Sequence, residues 1–403
     1  MARRCSTLCL PSGQDDYAAL VGDPGRFRAR LDRCCRAWPE RSPQALRHGH
    51  RLKDARASRR AGLCLRRARR TATGAPFSVR PSPLLPYLTG TTDEAQGPLP
   101  LRAFGVPFWA LARVFGRDDM DWYRPEVSRG RNSIVGTTAR RAALPEHLLA
   151  DGHHQRRDGA KKYIAPAVGA GCCPGAELAP TADADDLTAA YAVFKPEAQE
   201  AQPDDRPKTV SVDGRASTGR AWAALFPLVV LFRCSPHGWL NIRRRGKLSE
   251  AFRELSGKVR EAHHAPGRRC FARRLRRRLG GARGQSLSAW LLEQAPERCG
   301  RSGGYGRAHA HPGGHRTSDM LGRVMRSMRR HFDQGQHRHG SRDAAGRRAR
   351  ARALLQNVRP WGKTAAQASG GWNGPAERLN GHRYPDDWLQ NLLVSASPGG
   401  YGR

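Results

Sequence analysis

The clearest pattern of apolar and polar positions lies between residues 145 and 235. Leu148-Leu149-Ala150 is a short apolar run that ends in Asp151. Tyr163 to Val168 and Gly171 to Leu178 read as the strands of a hairpin, with Gly169-Ala170-Gly171 as the turn. Asp185 to Ala201 predicts a helix, because Leu187, Tyr191 and Phe194 fall at helical spacing. Lys208 to Val212 is a β-branched run that ends in Asp213 and Gly214. Ser217 to Phe226 predicts a second helix with Trp222, Leu225 and Phe226 to one side, and Leu228 to Phe232 a buried strand. The order is strand, strand, strand, helix, strand, helix, strand, which is an α/β class.

The flanking regions are less regular. Residues 1–98 are Arg-rich and broken by Gly and Pro, as in Pro81-Ser82-Pro83, and are expected to be weakly ordered. Residues 99–144 carry an apolar helix, Phe104 to Phe115, stopped by Gly116. A polar stretch through Trp122-Tyr123 to Asn132-Ser133 follows. Helix, turn and basic second element fit a helix-turn-helix-like DNA-binding subdomain, or one that only packs. Residues 145–239 form the core described above. Residues 240–310 are basic and helical, with Leu248, Phe252, Leu255 and Val259 at helical spacing. Residues 311–403 predict helices at Asp319–Phe332, Asp343–Asn357 and Asp386–Val394.

Charge changes the picture. Lys and Arg number 71 against 35 Asp and Glu, a formal net charge of +36. Such a chain repels itself unless a polyanion neutralises it, and nucleic acid is the obvious one, since each phosphate contact releases counterions. GC-rich coding enriches Arg, Ala, Gly and Pro by itself, so charge is only a general pointer. The longest apolar run, Ala223 to Phe232, contains Pro227 and is too short for a membrane helix. No membrane partner and a cytoplasmic, nucleoid-associated location are therefore expected. The ten cysteines contain no pair of CxxC motifs, which argues against a zinc ribbon and for free thiols. Cys234-Ser235-Pro236-His237 is the one short Cys/His spacing.

Taken together, these residues resemble a family. The element order, with acids after the first and fourth strands, is similar to the ribonuclease-H-like core of DDE-type transposases. Three segments resemble one bacterial insertion-sequence group in particular: Leu144-Pro145-Glu146-His147-Leu148-Leu149-Ala150-Asp151, Lys162-Tyr163-Ile164-Ala165, and Pro207 to Gly214. So do Arg316-Thr317-Ser318, Pro375-Ala376-Glu377-Arg378-Leu379-Asn380 and Asp387-Trp388-Leu389-Gln390-Asn391-Leu392-Leu393. The likeness covers about residues 100–400 in order. It implies a ribonuclease-H-like mixed sheet with a helical insertion at 240–310, following an Arg-rich N-terminal region. It implies Mg²⁺- or Mn²⁺-dependent cleavage and transfer of DNA strands, with two ions roughly 3.5–4 Å apart. Asp151 and Asp213 would be metal ligands, and Cys234 and His237 a supporting pair. The DNA partners would be terminal inverted repeats and target DNA, and a homo-oligomer is open.

The likeness has gaps. The group's third acid falls where this chain has Gly322, and Asp319 is a weak substitute about one helical turn earlier. Glu250, Glu254 and Glu293 have poorer context, and Glu377 belongs to another motif. Gly152 stands where the group carries a second carboxylate, and Arg215 where Trp is expected. Pro166 interrupts a strand, Pro196 falls within the helix 185–201, and Pro236 lies in the Cys/His segment. Arg260, Arg277 and Arg278 crowd an apolar helix face. These departures predict an impaired or inactive transposase. A non-catalytic DNA-binding remnant and a decayed reading frame with no function stay open beside it.

Overall fold

The computed structural model describes residues 7–37, 49–59, 62–84, 91–139, 144–157, 160–234, 307–333, 341–381 and 383, and scattered positions between 261 and 277. Most of the helical stretch 240–310 lies outside them, as do His237, Glu250, Glu254, Glu293, Pro236, Arg260, Arg278 and the helix expected at 386–394.

The first 98 residues differ from expectation. Strand β1 (Thr7–Leu10), helices α1 (Gln14–Gly22) and α2 (Pro24–Ala37), and strands β2 (His50–Ser58), β3 (Leu63–Arg70) and β4 (Pro76–Pro81) form a small α/β unit. Its sheet order is β1-β4-β3-β2, with β1 parallel to β4 and the other pairs antiparallel. Leu8, Leu10, Tyr17, Phe27, Leu31, Ala68, Phe77 and Val79 make its buried core. The Tyr17 hydroxyl, buried within it, donates to the Val79 carbonyl. Eight apolar side chains, two of them supplied by α2, are enough to order a region that reads as Arg-rich punctuation.

Residues 91–139 follow as short helices: α3 (Thr92–Gln96), α4 (Pro98–Leu101), α5 (Phe108–Phe115), α6 (Asp119–Arg129) and α7 (Ile134–Thr138). Thr91 and Glu94 form a reciprocal capping box on α3. The helix-turn-helix order is present as α5 and α6. However, α6 buries Trp122, Glu126, Val127 and Arg129 and begins with Asp119 and Asp121. Its far end meets a later helix so closely that a Cβ on Gly130 would lie 1.8 Å from the Arg347 carbonyl oxygen.

The second sheet holds β5 (His147–Ala150), β6 (His153–Arg157), β7 (Ala160–Gly169), β8 (Cys172–Ala179), β9 (Thr209–Val212) and β10 (Val230–Arg233). Its order is β10-β9-β5-β7, with β8 on the far side of β7. β10, β9 and β5 run parallel, and β7 runs against β5. β5 and β6 pair with β7 in one continuous register. They are halves of one arm, interrupted only at Asp151 and Gly152, opposite Pro166 and Ala165. Proline has no N–H to give to a ladder, so the break falls where the ladder is weakest.

The hairpin turn is a two-residue one. Gly169 pairs with Cys172, and Ala170 and Gly171 both have left-handed φ, 51° and 85°. Such a turn matches the twist of its strands.

Helices cover both faces of this sheet. On one side α8 (Ala184–Tyr191), α9 (Phe194–Ala201) and α10 (Ala216–Leu225) meet Leu148, Ala150, Ala165, Ala167, Val210 and Val212. Their centre is an aromatic cluster in which Trp222 stacks on Phe226 and lies 5.0 Å from Tyr191. On the other side α11 (Asp319–Asp333) and α12 (Arg342–Val358) cover Leu149, Ile164 and Val168. The single helix expected at 185–201 is therefore two. Pro196 sits in the first turn of α9, where a missing N–H costs nothing, and not in a helix interior. Helices α13 (Lys363–Ala368) and α14 (Pro375–Asn380) close the described chain.

Candidate acidic site

Asp151 and Asp213 are brought together by the register of the sheet. Ala150 and Val212 are partners in the parallel pair β5–β9, so the next residue of each strand stands beside the other at the carboxyl end. Their carboxyl groups are close enough for the charge of one to act on the ionisation of the other. The Asp151 Oδ1 accepts the Gly152 N–H at 2.7 Å. Its backbone carbonyl accepts the Tyr191 hydroxyl at 2.8 Å, which ties the strand end to α8.

Asp213 is shaped by the turn after it. Gly214 has φ of 102°, which L side chains rarely adopt, and this folds the chain back so that Asp213 Oδ1 accepts the Arg215 N–H at 2.9 Å. The Arg215 side chain then returns over the acid, with Nε 3.4 Å from Oδ2. Its guanidinium lies 5.8 Å from the ring centre of Tyr163. Asp213 is 14% exposed and Arg215 41%.

The electrostatics follow from this geometry. Burial, and then the negative charge of Asp213, push Asp151 up to about 7. The Gly152 N–H and Arg215 pull the other way without winning. Burial, and next the charge of Asp151, hold the Tyr191 hydroxyl well above its ordinary range, so it stays a donor.

The remaining predicted residues do not join the pair. Asp319 opens α11 and accepts a hydrogen bond from the Thr317 hydroxyl at 3.2 Å. Gly322 lies further along α11, and a Cβ added there would meet nothing within 4 Å. Glu377, on α14, accepts the Asn373 N–H at 2.9 Å and lies 3.8 Å from Arg383. Cys234 follows β10, is buried, and donates through Sγ to the Ser318 hydroxyl at 3.2 Å. Its expected partner His237 is outside the described residues. Among the described residues no three His, Cys, Asp or Glu side chains gather as a metal-holding group. Two contributors escaped the sequence reading. Tyr191 reads as one member of an apolar stripe, although a buried tyrosine hydroxyl needs a partner. Arg215 reads as a departure, and its place over Asp213 depends on the Gly214 turn.

Comparison with known proteins gives no match, either to a family model or to a curated sequence. Among the described residues no helix is long and apolar enough to cross a membrane.

Proposed function

We propose that this chain is a DDE-type transposase of the bacterial insertion-sequence kind, impaired in strand transfer because its acid set is incomplete. The observation that carries the reading is the placement of two aspartates side by side at the carboxyl ends of adjacent parallel strands. The strand order, with an antiparallel hairpin added to a parallel set and helices on both faces, supports a ribonuclease-H-like core. The sequence likeness across residues 100–400 supports the activity.

The residues fit one divalent cation better than two. Asp151 and Asp213 are hard oxygen donors, and a cation between them would offset both the burial and the neighbouring charge that raise the pKa of Asp151. A bound Mg²⁺ supplies Lewis-acid polarisation of a phosphodiester and of the attacking hydroxyl. In this chain Asp151 and Asp213 would hold it. The Gly152 N–H and the Tyr191 hydroxyl fix the orientation of Asp151, and the Gly214 turn fixes Asp213. A third carboxylate is lacking at residue 322, which is the basis for impaired activity. A DNA-binding remnant without catalysis is the second reading, and Arg215 seated on Asp213 favours it.

The test uses the full chain. Titration with Mn²⁺, followed by the loss of the free-ion magnetic resonance signal, should show one site that disappears in Asp213→Asn. Cleavage of a duplex carrying the flanking inverted repeats should be near background and should rise in Gly322→Glu. Mn²⁺ binding that survives both Asp151→Asn and Asp213→Asn would remove the site. Equal cleavage by the parent chain and Gly322→Glu would remove the third-ligand assignment.

A further inference from the structure

On the side of the second sheet that carries Leu149, α11 and α12 cover β5 and β7, whereas a loop covers β9 and β10. The register of the strands sets His147 beside Thr209, and Leu149, Ser211 and Phe232 form the next row. Their neighbours Leu148, Ala150, Val210 and Val212 face α8–α10, so this set faces the loop. Residues 307–318 lie over it and lead directly into α11.

The loop is held at three places. The His311 ring lies 5.7 Å from that of Phe232, and Gly314 sits too close to the same ring to carry a side chain. A Cβ on Gly313 would lie 2.5 Å from His147 Nε2. At the far end the Cys234 thiol donates to the Ser318 hydroxyl at 3.2 Å. Much of the seat beneath is polar. Thr209 and Ser211 are buried there. The Thr209 hydroxyl meets His147 Nδ1 at 3.0 Å, and the Ser211 hydroxyl has no hydrogen-bond partner among the described residues. A seat of hydroxyls and an imidazole depends on the charge state of its histidines.

Burial holds both His147 and His315 below the ordinary histidine value of 6.5. The charge of His147 lowers His315 further, and Lys208 and His311 lower His147. Glu146 raises His147, but it is exposed and engaged by Lys208 at 2.8 Å. Burial lowers His309 as well, and Arg316 adds to that. Among the described residues no carboxylate forms an ion pair with His311 or His315. The closed loop therefore favours neutral imidazoles. Its hold is full above about pH 6.5 and is lost as pH falls from there through the lower values of the closed state.

We infer that residues 307–318 are an acid-released latch, in which protons taken up by His147 and His315 lift the loop from β9 and β10 and loosen the start of α11. The latch is separate from the acid pair, and neither metal nor DNA is needed to open it.

The test is hydrogen exchange of the full chain in chelator, read by mass spectrometry from about pH 7.5 to about pH 5 and corrected for the intrinsic pH dependence of amide exchange. Protection of residues 307–322 should fall, by up to about tenfold per pH unit for each imidazole that gains a proton on opening. The hairpin 163–178 should keep its protection. His147→Gln/His315→Gln should flatten the profile of the loop. His154→Gln, which removes an exposed imidazole from β6, should leave the parent's slope. A second measurement needs no altered latch: in magnetic resonance of ¹³C-labelled histidine, His147 and His315 should titrate at lower pH than His154. A loop whose protection does not change with pH overturns the inference. So does a slope that survives the double substitution, and so do midpoints for His147 and His315 equal to that of His154. Asp213→Asn should show the parent's profile, so failure of the metal site and failure of the latch show separately.

Discussion

Arginine does opposite things in the two sheets. Around the second sheet it is buried and matched with acid. Arg102 is 2% exposed and lies 2.9 Å from Glu126. Arg350 pairs with Glu197 and lies 3.8 Å from Glu177. On the first sheet Arg51 and Arg69 are exposed and face each other. The overall charge of the chain is therefore not one property. Part of its buried share is balanced by carboxylates, as at Arg102 and Arg350, and part of its exposed share is not, as at Arg51 and Arg69. Arg215 belongs to neither class, because it is partly exposed and yet sits on a carboxylate.

The largest effect should come from breaking a matched pair. Glu197 accepts the Ile134 N–H at 2.8 Å, the Ser133 hydroxyl at 3.2 Å and the Val135 N–H at 3.3 Å, in addition to its contact with Arg350. It thus caps α7 and neutralises α12 at once. Glu197→Ala should cost about 3–5 kcal/mol, because it strands a buried guanidinium. Urea unfolding should show the midpoint fall accordingly. A loss below about 1 kcal/mol would mean that these arginines are not held by their acids, and the contrast between the sheets would lapse.

The acid pair supplies the next effect, and its sign is fixed by linkage. Asp151 has its pKa raised from 3.8 to about 7, so folding favours the protonated form. That contribution to stability is fully present below about pH 4 and is lost as pH rises through about 7, at about 1.4 kcal/mol for each pH unit between those limits. Thermal melting across this window should fall by a few kcal/mol in equivalent stability. In Asp213→Asn the fall should be smaller but still present, because burial is the larger cause and remains. A fall of equal size in both chains would show that Asp213 exerts no pull on its neighbour.

Much of the second sheet was legible from sequence because its strands are short apolar runs bounded by Gly, Asp and Pro. The hairpin 163–178 and the strand before Asp213 are examples. The helix boundary at Pro196 was not legible, since Leu187, Tyr191 and Phe194 keep helical spacing across the break between α8 and α9. The first sheet was hidden for a different reason. β3 reads Leu-Cys-Leu-Arg-Arg-Ala-Arg-Arg, and the side chain that it buries most fully is Ala68. A strand whose covered face includes one alanine shows no alternation that a hydropathy pattern can register. In the site, the two acids were visible as strand ends, whereas Tyr191 and Arg215 reach them through the packing of α8 and the turn at Gly214.

A milder substitution sharpens the contrast from within. Arg129 is 3% exposed at the end of α6, and its Nε and Nη2 have no hydrogen-bond partner among the described residues. Burial pulls its pKa down to about 10, against the opposing charge of Glu126. It is a buried arginine with a poor match, so Arg129→Met should stabilise the chain by about 1–3 kcal/mol. Calorimetric melting would show it. A destabilised variant would place Arg129 with the well-matched arginines.

The smallest effect concerns the arginine between the two classes. Arg215 places a positive charge 3.4 Å from the Asp213 carboxylate, where it competes with any cation for that acid. An ion pair this exposed is worth at most about 1 kcal/mol, so Arg215→Gln should tighten Mn²⁺ binding by no more than about fivefold. Arg215→Lys should stay near the parent, because it keeps the charge while losing the flat guanidinium over Tyr163. If both variants tighten binding equally, shape is the obstacle and the Tyr163 contact holds Arg215 in place. If neither does, Arg215 serves the turn through its backbone N–H alone, and the side chain belongs with the unmatched surface arginines.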